Sequence, residues 1–306
     1  MQRMQRMQRK LILILMMCAA GGALPALDWP SQDALLTRSF GWNNQGRPAL
    51  AAVFEAAGPV RAAGAGELLY ARQNGDRASR MPAPLGDWIA VDHGDGLISI
   101  YGHLGESRAA AFSQEAIGTG EIIGMAGLSG WSRQQGFSFA LYDRKERWWI
   151  NPSAIIGSRE DTGQPVILSV LLQDEEGRSI ALDSRRALAL SQGRYTVQVN
   201  AAIPQAVQAG RGAGSSAGDS GLVPYTVVVS VNGTEVGALS LETFSARDGV
   251  LMAYRNGRVP VETIYGPYPA LEAADFWLNR GLADLEIIAQ DRAGNERSLS
   301  YRLQVE

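Results

Sequence analysis

Histidine is nearly missing from this chain. Among 306 residues only His93 and His103 carry an imidazole, too few for a metal centre that relies on three histidines. Cysteine is scarcer still. Cys18 stands alone, so no disulfide can form within the chain. Long apolar runs are lacking too: Leu11–Met17 (LILILMM) falls short of the roughly 20 residues that a stable membrane-spanning helix needs. There is no excess of positive charge either. The formal net charge is −3, which leaves no global basic footprint for nucleic acid.

What is present begins with a leader. Arg3, Arg6, Arg9 and Lys10 precede the apolar run, and small residues follow it from Cys18 to Ala26. That order is a secretion signal over residues 1–26, with cleavage after Ala23 or Ala26. Removing it takes the net charge from −3 to −7. The repeat MQRMQRMQR offers Met1, Met4 or Met7 as the start. Cys18 follows Leu15-Met16-Met17, a loose lipobox with a poor residue before the cysteine. It is therefore either a lipid anchor or part of a discarded signal. The protein is expected to be exported to the periplasm or cell envelope, touching the membrane only through Cys18 if that residue is lipidated.

Beyond the leader, short apolar runs are cut by glycine. Residues 67–71, 87–93, 97–104, 121–127 and 137–143 have strand length, and no sustained helical stripe interrupts them. Gly94-Asp95-Gly96 marks a hairpin turn, in which Asp92 and Asp95 serve as turn formers. Residues 157–165 are polar and read as a linker. Further strands follow at 194–201, 225–231, 285–291 and 298–305, with a hairpin signal at Asn232-Gly233. Residues 209–221 are rich in glycine and serine and read as a loop. One short helix is predicted within residues 270–282. The expected division is residues 27–156 and 166–306, two domains on either side of the linker.

Residues from Phe40 to Pro152 resemble the lysostaphin/LytM-type zinc peptidases, the family with the duplicated hybrid motif fold. The resemblance lies in Pro59-Val60-Arg61-Ala62, in Val91–Leu104 ending Tyr101-Gly102-His103-Leu104, and in Gly118–Gly127. Gly130-Trp131-Ser132, Phe139–Asp143 and Asn151-Pro152 continue it. The second half more loosely resembles bacterial immunoglobulin-like domains, through residues 193–197 and the turn at 291–295. Together the resemblances imply an all-β protein. A LytM-type β-sheet domain would be followed by an immunoglobulin-like β-sandwich.

The family's metal ligands are not where the resemblance would put them. Its H-x-G-x-D motif falls on Arg47–Ala51, placing Arg47 and Ala51 at the two ligand positions; a frame two residues on places Ala49 and Val53 there. Its H-x-H falls on Gly136 and Ser138. A guanidinium repels a cation, alanine donates nothing, and a catalytic zinc needs three protein ligands to generate its hydroxide. His93 and His103 cannot rebuild the site, because on opposite arms of one hairpin they stand about 17 Å apart. The implied protein holds no cofactor and is not an enzyme; His103 is a vestige of the family's active site.

The same resemblance implies a role, since the family includes zinc-less members that activate cell-wall amidases. The chain would bind peptidoglycan or a cell-wall hydrolase through a groove of Arg47, Tyr101, His103, Trp131 and Ser138. Each residue also has a plainer reading: Arg47 as a loop cation, His103 as a packing histidine, Trp131, Trp148 and Trp149 as sheet-edge aromatics, His93 as a turn residue. Ser132 or Ser138 as a nucleophile would need a base and an orienting acid, and His103 is the single candidate base. Two further readings stay open. One is an active zinc endopeptidase cleaving peptidoglycan cross-bridges with a carboxylate such as Glu55 among its ligands. The other is a structural or adhesive envelope protein.

Overall fold

The computed structural model describes residues 26–73, 83–107, 116–159, 163–205, 221–266 and 269–306. The leader with Cys18, residues 160–162 of the 157–165 segment, and most of the glycine-rich stretch at 209–221 lie outside the described residues. No helix among those described is long and apolar enough to cross a membrane.

The N-terminal half is built from β1 (Leu35–Arg38), β2 (Ala52–Glu55), β3 (Pro59–Arg61), β4 (Gly66–Arg72), β5 (Asp87–Asp92) and β6 (Leu97–Ser107). It continues with β7 (Ala116–Ile117), β8 (Ile122–Ala126), β9 (Gly136–Asp143), β10 (Trp148–Ile150) and a one-turn helix, α1 (Pro152–Ile156). The turn between β5 and β6 takes its shape from Gly94, Asp95 and Gly96, all with positive φ, which glycine adopts freely. The central strand β9 pairs antiparallel with β2 on one side and β6 on the other. Its Phe137, Phe139 and Leu141 alternate into a core with Phe54, Ile89 and Tyr101. Phe54 and Phe137 stack at 4.8 Å, and Trp29 closes edge-on at 5.9 Å from Phe54. Burying each such ring contributes about 1.5–3 kcal/mol.

The C-terminal half holds β11 (Val166–Asp174), β12 (Ser179–Ala181), β13 (Leu188–Leu190), β14 (Gly193–Ala202), β15 (Thr226–Val231) and β16 (Thr234–Arg247). After these come β17 (Val250–Arg255), β18 (Arg258–Pro260), β19 (Leu271–Leu278), β20 (Gly281–Gln290) and β21 (Glu296–Val305). The sheet β12-β11-β14-β19 faces the β15, β20 and β21 strands. Val170, Leu172, Val197 and Phe276 of the first meet Val229, Leu285, Ile287 and Leu303 of the second in one core. The result is a β-sandwich. The helix predicted within residues 270–282 is corrected here: Leu271–Leu278 is the edge strand β19, paired with β14. Its Leu, Glu and Ala favour a helix locally, and tertiary pairing overrides that preference.

The halves share one sheet. Short β10 pairs with β9 and, on its other side, with β16, where Trp149 stands opposite Phe244. Trp149 also packs on Tyr142, with ring centroids 4.9 Å apart, and the guanidinium of Arg258 lies over Trp148. Phe40, from the first half, is buried in the core of the second and stacks on Phe244 at 4.9 Å. Conversely Ile203 and Leu222 enter the first core. Asn151 caps α1 by accepting from Ser153 N and donates through Nδ2 to Leu241 O at 3.0 Å.

Candidate functional site

Gly136, Ser138 and Ala140 lie on the face of β9 opposite its core phenyl rings. Ser138 sits between Val53 on β2 and Gly102 on β6, each directly opposite it in register. Glu55 is two pairs further along, opposite Gly136, and is exposed. A β-carbon built on Gly102 would lie 2.7 Å from Ser138 Oγ and 3.1 Å from Leu85 Cδ2. Leu85 and Ser138 therefore flank the same space beside Gly102.

His103 marks a change of partners. Gly102 is the last residue of β6 to pair with β9, and Leu104 already pairs with Ala126 on β8. The backbone makes this switch with His103 in the left-handed region, φ 63°, a conformation that costs a non-glycine residue about 1–2 kcal/mol. Its N–H donates to Leu85 O at 2.7 Å, and its ring Nδ1 lies 3.1 Å from Ser129 O. The segments carrying Leu85 and Ser129 grip each other. Gly86 and Gly130, both at positive φ, meet backbone to backbone, and Trp131 N donates to Pro84 O at 2.9 Å. This clasp lifts Trp131 to the rim with 73% of its surface exposed, beside Leu128 at 59%.

Of the five groove residues, His103 and Trp131 hydrogen-bond to the 84–85 segment, and Ser138 flanks Gly102 together with Leu85. Tyr101 does not join them and is corrected: it is fully buried on the core face, accepting from Ala63 N at 2.7 Å, with Ser99 Oγ 3.0 Å away. Burial pushes its hydroxyl up to about 12. Arg47 is exposed in a tight turn closed by paired Asn44 and Arg47 backbones. The preceding Asn43 ties that turn to Gly266 and Ala270 of the second half. Ala51 is half-buried just ahead of β2. Ser132 Oγ donates to Gln134 O at 2.7 Å. Leu85, Gly102 and Val53 escaped sequence reasoning because they matter through cross-strand register, which no local pattern prints.

These residues do not fit zinc. One imidazole and one neutral hydroxyl stand among valine, leucine and glycine, whereas a catalytic zinc takes three N, S or carboxylate ligands. Among the described residues no three His, Cys, Asp or Glu side chains gather as a metal-holding group. Gly136 goes further: a β-carbon there would collide with Phe54 O, so the backbone leaves no room for a side chain at that position.

The other histidine serves the fold. His93 Nδ1 lies 2.8 Å from Ala65 O and Nε2 lies 2.7 Å from Ser99 Oγ. Ala65 O can only accept, so Nδ1 carries the proton. Nε2 meets the Ser99 hydroxyl, and Tyr101 Oη accepts both from Ser99 Oγ at 3.0 Å and from Ala63 N–H at 2.7 Å. Burial lowers the His93 pKa, against the opposing pull of Ala65 O and Asp92.

Comparison with known proteins finds matches to each half. The model of peptidase family M23 matches residues 49–152, and a separate family model matches residues 164–306. An uncharacterized protein of Treponema pallidum (strain Nichols) is 30% identical over 137 residues, 42% of this chain and 93% of that protein. Among solved structures, the catalytic domain of the prophage-encoded M23 protein EnpA from Enterococcus faecalis (A109H mutant) is 19% identical, over 39% of this chain and 88% of that one, TM-score 0.33. The catalytic domain of lysostaphin from Staphylococcus simulans is 19% identical, over 36% and 80%, TM-score 0.30. A chain of the SpoIIQ–SpoIIIAH pore-forming complex is 18% identical, over 44% and 92%, TM-score 0.34.

Proposed function

Since residues 49–152 of this chain are a peptidase family M23 (LytM-type) domain, we propose that the domain works by binding and not by hydrolysis. In this reading the protein is exported to the periplasm or cell envelope. There it binds peptidoglycan or a cell-wall hydrolase such as an amidase and regulates wall remodelling. One observation carries the reading: Ser138 lies between Val53 and Gly102, with Leu85 also against Gly102, a donor set that cannot hold the ion on which the family's chemistry depends. What remains is a surface. Trp131 and Leu128 are exposed on the segment whose Ser129 carbonyl meets the His103 ring, and an exposed aromatic next to polar groups is a common recognition anchor. The sandwich of the second half, read as immunoglobulin-like, would space or orient this surface.

Two measurements test the proposal. Elemental analysis of purified protein incubated with zinc is expected to give no stoichiometric metal, and the protein is expected to leave purified peptidoglycan uncut. Co-sedimentation with peptidoglycan, or capture of a purified amidase, is expected for the wild type and reduced about tenfold by Trp131→Ala. One zinc per chain together with cleavage of wall peptides would establish a hydrolase instead. Absence of binding to wall and amidase alike would leave the structural or adhesive reading.

A further inference from the structure

The outer face of the β20–β21 hairpin carries charge that the fold does not use. Leu285, Ile287, Tyr301 and Leu303 point into the sandwich core. Asp284, Glu286, Ser300 and Arg302 alternate with them on the other face, Asp284 opposite Arg302 and Glu286 opposite Ser300. The crossover from β12 to β13 overhangs this face and adds Arg185 and Arg186. Its bend is fixed locally, with Arg185 N donating to Asp183 Oδ1 at 2.9 Å and Arg186 N to Asp183 O at 3.2 Å. The turn at Asn232 closes the opposite side, where Asn232 Oδ1 accepts from Asp284 N at 2.8 Å. Between them lies a cleft of about 660 Å³, in the size range of small-ligand sites.

Arg185, Arg186 and Arg302 form no ion pair with Asp284 or Glu286. A simple anion entering this cleft would meet two carboxylates, and a simple cation would meet three guanidinium groups. A molecule that carries both signs satisfies both sets, and electrostatic complementarity of this kind selects partners. We propose that the cleft binds a short zwitterionic peptide. The arginines would take its carboxylate, for which the guanidinium fork is suited, and Asp284 and Glu286 would take its ammonium. The site lies outside residues 49–152 and its test is separate from that of the M23 domain.

Titration calorimetry of the full chain at low salt provides the test. The probe is the dipeptide Lys-Glu, with glutarate and cadaverine as single-sign controls. Saturable binding of Lys-Glu is expected, about tenfold tighter than either control. Arg302→Gln and Glu286→Gln are each expected to weaken it by about tenfold. Arg185→Gln repeats the test from the crossover without touching the hairpin. No saturable binding, equal affinity for the three probes, or unchanged affinity in these variants would overturn the proposal.

Discussion

The two histidines have opposite fates. His103 stands at a strand switch beside an exposed rim, while His93 is consumed by a chain of hydrogen bonds running from Ala65 O through Ser99 and Tyr101 to Ala63 N. Burial of the imidazole disfavours its protonated form. The sign follows from linkage. The folded pKa lies below the ordinary 6.5, so between the two values the unfolded chain binds more protons and stability rises with pH. Stability is therefore complete above about pH 6.5 and falls as the pH drops through the lowered folded value. Melting temperatures between pH 7.5 and pH 5 are expected to show that fall in the wild type. In His93→Gln the same acid-side slope should be shallower; an identical slope would remove His93 from the account.

At the scale of elements, β9 decides what the first half can do. Its core face was legible in FSFALYD because phenylalanine, phenylalanine and leucine alternate with small residues. Its other face was half legible: Gly136 and Ser138 could be read against a family motif, while their cross-strand neighbours Val53, Gly102 and Glu55 depend on register. Gly136→Ala is expected to destabilise the protein by about 1–3 kcal/mol, because the new methyl meets backbone that cannot rotate away. Denaturant unfolding measures this, and a neutral result would mean that β2 yields at Phe54. Ser138→His, alone or with Val53→Asp, is expected to recruit no stoichiometric zinc, since Leu85 and Ser138 already crowd the space at Gly102. Elemental analysis of the double variant decides it. The strand β19 was misread for the converse reason: its composition favours helix, and only the neighbouring β14 makes it a strand.

At the scale of the whole molecule, the two halves exchange residues. Phe40 belongs by sequence to the first half and by packing to the second, and β10 stitches the sheets together through β9 and β16. Phe40→Ala removes a buried ring that stacks on Phe244 and is expected to cost about 3–5 kcal/mol. Because Phe40 ties the first half to the core of the second, calorimetry of the variant should show one transition moved down, not a separate early transition of the first half. Two resolved transitions in the wild type would count against such coupling. The same shared sheet means that any contact at the Trp131 rim and any ligand of the Arg302 cleft act on one continuous scaffold.

Composition and alternation alone determined the all-β class, most of the long strands and the loss of a three-histidine metal centre, since those properties rest on which residues are present and how they repeat. The tertiary structure decided what lies beside what. It buried Tyr101, carried the Arg47 turn to the second half, brought Leu85 and Ser138 together at Gly102 and wove Phe40 into a distant core. These outcomes depend on strand register and on which sheets share an edge, and both are fixed by long-range packing energy that no single stretch of sequence contains.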